Sequence, residues 1–168
     1  GVPGGTKAAA LPAGVGVKIS SPDAERPLLN ESEGTVEMWV KDTRQYTDLR
    51  NRSLVRCGDL HLYRRICVGT YLYIAGDGHQ TGFVLPQGRW CHLAATWRPS
   101  PKGGTEVAIY ADGVRIETTY NRHINPDGGW AGPELIVPAS HAGLFVDELR
   151  VSDIARYDGN FEVPAAPF

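Results

Sequence analysis

No stretch of this 168-residue sequence comes near the roughly 18 consecutive apolar residues of a membrane-spanning helix. Charge of one sign is missing too. With 17 Lys and Arg against 19 Asp and Glu, the net charge is −2, which gives no reason to expect nucleic acid or an anionic membrane as a partner. Cysteine is scarce. Cys57, Cys67 and Cys91 contain no Cys-x-x-Cys unit, and the five histidines show no i, i+4 pair or zinc spacing, so a zinc frame is not expected. Closing Cys57 to Cys67 is geometrically unfavourable. Gly58-Asp59 reads as a two-residue turn that sets Leu60 opposite Cys57, and a strand from there carries Cys67 about 20 Å away. A disulfide needs Cα atoms within about 7 Å, so buried, free thiols are expected.

What the chain has in quantity is punctuation, with 20 Gly and 12 Pro. No period of three runs through them, so the composition is turn-rich and not collagenous. The length fits one domain with a sizeable core. The chain opens on Gly1 and not Met, which reads as a processed or excised piece. Residues 1–14, "GVPGGTKAAALPAG", carry no apolar period and read as a linker or lead-in; a single domain is expected over 15–168.

From there the signal is period two. In "GTVEMWVK", Val36, Met38 and Val40 share one face, while Glu37, Trp39 and Lys41 share the other. In "GRWCHLAATW", Cys91, Leu93, Ala95 and Trp97 form the apolar face, expected in the core with Ile109. Trp90, His92, Ala94 and Thr96 form the outward face, which suits either a ligand or a covering of loops. Asp112-Gly113 between two alternating runs is a strong hairpin signal, because both turn positions need positive φ. "TYLYIAGDG" and "GLFVDELRVS" also read as strands. Ten to twelve short strands, with one helical turn near 152–157, make an all-β sandwich or barrel the expected class.

Four segments in this order resemble the laminin-G-like branch of the concanavalin A-like lectin/glucanase superfamily: "EGTVEMWVK", "GRWCHLAATW", "VAIYADGVRIE" and "FVDELRVSDIARYDGNFEVPAAPF". "GVKISSPDAERPLL" is similar to the family's opening strand. The resemblance implies an all-β, two-sheet antiparallel jelly-roll sandwich with one curved sheet, ending at or near Phe168. It also implies a non-catalytic, carbohydrate-binding accessory module of a larger extracellular or cell-surface protein, tethered to other domains. A protein-protein or adhesion module of the same fold is the alternative, and a divergent glycosidase or lyase the third reading. The family's catalytic branch carries a Glu-x-Asp-x-x-Glu pattern, and glycosidases need two acids roughly 5–9 Å apart. That pattern is absent here. Asp147-Glu148, as strand neighbours, are expected to face apart.

Trp39, Trp90 and Trp97 are expected to be structural. Trp130 lies in the Gly- and Pro-rich "NRHINPDGGWAGPE", where an aromatic suits stacking on a sugar, or else pins the loop. Tyr46 in "KDTRQYTDLRNR" is a similar candidate. Arg122, His123 and Asp127 are expected to hydrogen-bond hydroxyls beside Trp130, and His92 is the next candidate contact. The resemblance also implies a possible structural Ca²⁺ at Asp147, within a cage of six to eight oxygens.

Overall fold

The computed structural model describes residues 16–43, 51–65, 69–116, 129–137 and 143–163. The expected linker over 1–14, together with Cys67 and the last five residues, lies outside them. Eleven strands are described: β1 (Val17–Ser20), β2 (Gly34–Asp42), β3 (Arg52–Cys57), β4 (Leu60–Arg65), β5 (Gly69–Ile74), β6 (Asp77–Gln80), β7 (Trp90–Pro99), β8 (Thr105–Ala111), β9 (Val114–Ile116), β10 (Glu134–Val137) and β11 (Leu144–Ser152). They form two sheets, a six-stranded one in the order β1-β10-β3-β4-β5-β6 and a five-stranded one in the order β11-β2-β7-β8-β9. Every pairing between these strands is antiparallel.

Tight turns set the register. Asp112 and Gly113 adopt φ of 48° and 76°, so Ala111 faces Val114 across the hairpin. Both turn residues in the left-handed region match the twist of the flanking strands. Ala75 and Gly76 do the same between β5 and β6, with φ of 49° and 86°. Gly58-Asp59 turns β3 into β4 and leaves Cys57 opposite Leu60, as the sequence predicts.

The apolar face of each strand closes on the other sheet. Val36, Met38 and Val40 of β2, Cys91, Leu93, Ala95 and Trp97 of β7, and Ile109 of β8 are all buried with Leu54, Leu62, Leu72 and Leu135 from the opposite sheet. The expected turn of helix at 152–157 is absent. After β11 the chain runs as an irregular strap over the outer face of the five-stranded sheet. Thr35 fastens it by donating to the carbonyl of Ile154 at 2.8 Å and accepting from the amide of Arg156 at 3.0 Å. Backbone committed to a neighbouring strand in this way cannot also close helical hydrogen bonds.

Candidate functional site

The outer faces of the two sheets are treated differently. On the five-stranded sheet the strap is a lid of aromatic rings. Tyr157 and Phe161 stack on each other with centroids 3.5 Å apart and cover Ala94, Ala108 and Tyr110. The amide of Phe161 donates to the carbonyl of Gly113 at 2.9 Å. Beneath this cover lies a buried carboxylate, Glu37. Its oxygens take Arg150 Nε at 2.6 Å, the Tyr157 hydroxyl at 2.6 Å and His92 Nε2 at 3.2 Å. Burial alone would push this carboxyl up. The hydrogen bonds from His92, Arg150 and Tyr157 outweigh that and hold it near 2. Held by three donors, this carboxylate fastens the strap to the sheet.

His92 stands on the outward face of β7 that alternation gives it, under a cover of chain. It is 2% exposed, edge-on to Trp39 at 5.3 Å and to Phe161 at 5.9 Å. Its face of β7 points away from the core, but the strap covers it. Trp130 takes the other role the sequence left open for it, that of pinning its loop. It is 5% exposed and meets Trp97 edge to face, with centroids 5.5 Å apart. Its carbonyl accepts the amide of Asp59 at 2.7 Å. The amides on either side, Gly129 and Ala131, both donate to the carboxylate of Glu31. No open ring face is left for a sugar, because the ring completes the core at its rim. Tyr46, Arg122, His123 and Asp127 lie outside the described residues.

Asp147 sits where β11 bulges, between its pairing with Trp39 and that of Arg150 with Glu37. Glu148 takes φ of 48° there, so simple strand alternation does not govern the two acids. They are nevertheless separated, Asp147 buried and Glu148 exposed. Asp147 Oδ1 accepts from the amide of Glu148 at 2.9 Å, while Oδ2 is buried without a hydrogen-bond partner. Calcium needs six to eight oxygens. Among the described residues no three His, Cys, Asp or Glu side chains gather as a metal site, so these residues do not by themselves fit a calcium cage.

The open face is that of the six-stranded sheet, and sequence reasoning missed it. Alternation sends His61 and Tyr63 of β4 and Tyr71 and Tyr73 of β5 outward. Register then sets His61 opposite Tyr73 and Tyr63 opposite Tyr71, making a two-by-two block of rings. Such a block spans about 6.6 Å along the strand and about 4.8 Å across it. His61 and Tyr63 lie 4.6 Å apart at 34°, and Tyr63 and Tyr71 5.0 Å apart at 38°. At these separations the rings lean against one another face on face, in a tilted aromatic cluster. Tyr73 is 37% exposed and the other three are half-buried.

Hydrogen-bonding groups surround the block. Ser53 Oγ lies 2.7 Å from His61 Nε2. Gln80 stands opposite Tyr71 on β6. The Arg65 guanidinium lies over the Tyr71 ring, 5.4 Å from its centroid, and Arg56 is the cross-strand neighbour of His61. Burial, helped by Arg56, lowers the affinity of His61 for a proton, which favours a neutral imidazole able to donate and accept. Beyond Arg56 an open depression of about 240 Å³ continues along the sheet, lined by Gly58, Gly132, Pro133, Glu134 and Ile136. Ring faces bordered by donors and acceptors can bind a flat, partly apolar, hydroxyl-rich ligand. The signal was present in "HLYRR" and "TYLYI", where rings occupy every second place.

The sequence profile of the concanavalin A-like lectin/glucanases superfamily matches residues 14–158. No curated protein sequence matches the chain. Among solved structures, the botulinum neurotoxin serotype D binding domain is similar at TM-score 0.61 and 8% identity, over 87% of this chain and 38% of that one. Trypanosoma rangeli sialidase is similar at TM-score 0.54 and 12% identity, over 76% of this chain and 21% of that one. The binding domain of botulinum neurotoxin serotype D/C VPI 5993 is similar at TM-score 0.56 and 9% identity, over 74% and 34%. The chain thus spans only a minor part of each, and at such identities the likeness is one of fold.

Proposed function

The chain belongs to the concanavalin A-like lectin/glucanases superfamily, and from that premise we propose that it is a non-catalytic carbohydrate-binding module of a larger extracellular protein. The observation that carries this reading is the open block of His61, Tyr63, Tyr71 and Tyr73 on the six-stranded sheet. Rings fixed by cross-strand packing offer their exposed parts, Tyr73 most of all, at little entropic cost, since few rotamers remain to be frozen. Pyranose rings have an apolar face that suits such a surface, and Ser53, His61 and Gln80 supply partners for the hydroxyls around it. The described face presents no pair of facing carboxylates of the kind a glycosidase needs.

A glycan array probed with the isolated chain tests the proposal. Tyr71→Ala and Tyr73→Ala are each expected to weaken binding by up to about tenfold, from the loss of an aromatic contact. Their half-exposed side chains should leave the melting temperature within a few degrees of the parent. An array with no positive glycan, or binding unchanged in both variants, would overturn it.

The alternative of a protein-binding module draws on a different feature. β1 is an edge strand, with Val17 and Ile19 at 41% and 43% exposure. An edge of this kind accepts a partner strand through main-chain hydrogen bonds. Binding abolished by Ile19→Pro and untouched by the tyrosine variants would favour that reading.

A further inference from the structure

We infer that the open face selects acidic glycans, those bearing a carboxylate or a sulfate ester; this rests on the carbohydrate-binding reading above. The argument is the distribution of charge around the rings. Between β3 and β6 the outward-pointing side chains are Ser53, Arg56, His61, Tyr63, Arg65, Tyr71, Tyr73 and Gln80. Two are permanent cations, and among the described residues none on this stretch is an acid. Asp59 and Asp77 belong to the strand ends, at the β3–β4 and β5–β6 turns. Glu134, an acid on the neighbouring β10 that lines the depression beside Arg56, is ion-paired to Lys18.

The protein as a whole is slightly acidic, so this local excess of positive charge is not a general property of its surface. The cations are also placed to act. Arg65 lies along the Tyr71 ring, which leaves its donor fork at the margin of the ring surface. Arg56 stands between the rings and the 240 Å³ depression. Among the described residues neither arginine is tied to a carboxylate: Arg56 makes a long 3.5 Å bond to the carbonyl of Gly58, and Arg65 lies on the Tyr71 ring. A guanidinium presents a planar pair of donors that matches a carboxylate or a sulfate edge. A sugar resting on the tyrosines would thus direct its charged substituent toward one arginine or the other. Burial, with Arg56 nearby, also disfavours a charge on His61.

Affinity electrophoresis of the whole chain through gels carrying polygalacturonate, its carboxyl-reduced neutral counterpart, dextran sulfate or dextran separates the outcomes. Polygalacturonate or dextran sulfate is expected to retard the parent more than its neutral counterpart does. That retardation should fall in 0.5 M NaCl, as about tenfold shorter screening demands of exposed charges compared with 5 mM salt. Arg56→Gln with Arg65→Gln should remove the preference for the acidic polymer, by about tenfold, without moving the melting temperature. Lys102→Gln, in the turn before β8, is the control that should change nothing. Retardation by polygalacturonate alone makes the anion a carboxylate, and by dextran sulfate alone a sulfate; either supports the inference. Binding only to neutral glycans, lost in Tyr71→Ala and kept in the arginine variant, overturns it and leaves the carbohydrate-binding reading standing. No binding to any glycan overturns both.

Discussion

Trp130 meets Trp97 edge to face at 83°, with their centroids 5.5 Å apart. Trp97 is itself buried under β2, so closely that a side chain at Gly34 would overlap its ring. Its indole N–H donates to the carbonyl of Asn30 at 2.8 Å. The pair therefore ties two loops, one before β2 and one before β10, to the end of the core. Trp130→Ala should lower stability by about 3–5 kcal/mol, as for other large aromatic truncations. Denaturant unfolding measures it. A variant as stable as the parent would mean that the ring adds nothing to the core.

Glu37 makes the strap sensitive to acid. Its carboxyl is held near 2 against an ordinary 4.5. A carboxyl depressed on folding stabilises fully above its unfolded value, and the contribution is lost as pH falls through the folded one. The shift corresponds to about 3 kcal/mol, complete above about pH 5 and fading toward about pH 2. Glu37→Gln should lower the melting temperature at pH 7 and flatten its fall across that window. Parallel pH profiles for variant and parent would contradict the assignment. Tyr157→Phe, which removes one donor to Glu37 and keeps the stack on Phe161, should cost about 1–3 kcal/mol.

How much of this was legible depends on the range of the contact. Period two alone placed Val36, Met38, Val40, Leu93, Ala95 and Ile109 in the core, because a strand offers only two faces. Asp112-Gly113 was legible because left-handed φ at two successive residues narrows the choice of residue. Which segment covers His92 was not. It depends on Phe161, some seventy residues later, crossing a neighbouring strand, and no local pattern encodes that. Trp130 was left with two roles for a related reason. Its loop has no period, and only the meeting with Trp97 fixes the side on which the ring falls. The ring block lies between these cases. Its alternation is written in β4 and β5, but the meeting of Tyr63 with Tyr71 requires the register that joins them.

The two described cysteines should be chemically silent in the folded protein. Both are free and buried. Burial, with Asp112 nearby, pushes the Cys91 thiol up to about 12, and burial raises Cys57 as well. Thiolate is the reactive form, so neither should react with a thiol reagent at pH 8 until denaturant is added. Rapid modification of Cys57 or Cys91 in the native state, read by peptide mass, would show that the core opens.

Asp147 allows the calcium proposal a direct test. Among the described residues no three His, Cys, Asp or Glu side chains gather there as a metal site, so a chelator is expected to leave the melting temperature unchanged. An ion bound only to the folded state would have to lower it on removal. A fall reversed by calcium and not by magnesium would therefore establish the metal and require further ligands beyond the described residues.

Gly78 gives the sharpest separation of binding from folding. It lies across from Tyr73 on β6, and a Cβ built on it would overlap the hydroxyl end of the Tyr71 ring. The missing side chain is thus what lets Tyr71 lie down against the sheet. The obstacle in Gly78→Ala is the far end of a flexible side chain and not backbone, so the ring can swing away. The backbone of Gly78 is not in the left-handed region, and alanine brings no conformational strain of its own. The fold should be retained, with a stability change within about 1 kcal/mol. Tyr71 should lose its flat pose, its packing on Tyr63 and its contact with Arg65. If sugar is held by that pose, Gly78→Ala should weaken glycan binding nearly as much as Tyr71→Ala, although it removes no atom. Combining the two changes should add little, since both act on one ring. Full binding in Gly78→Ala, alongside lost binding in Tyr71→Ala, would mean that the ring is needed in some pose other than flat on the sheet.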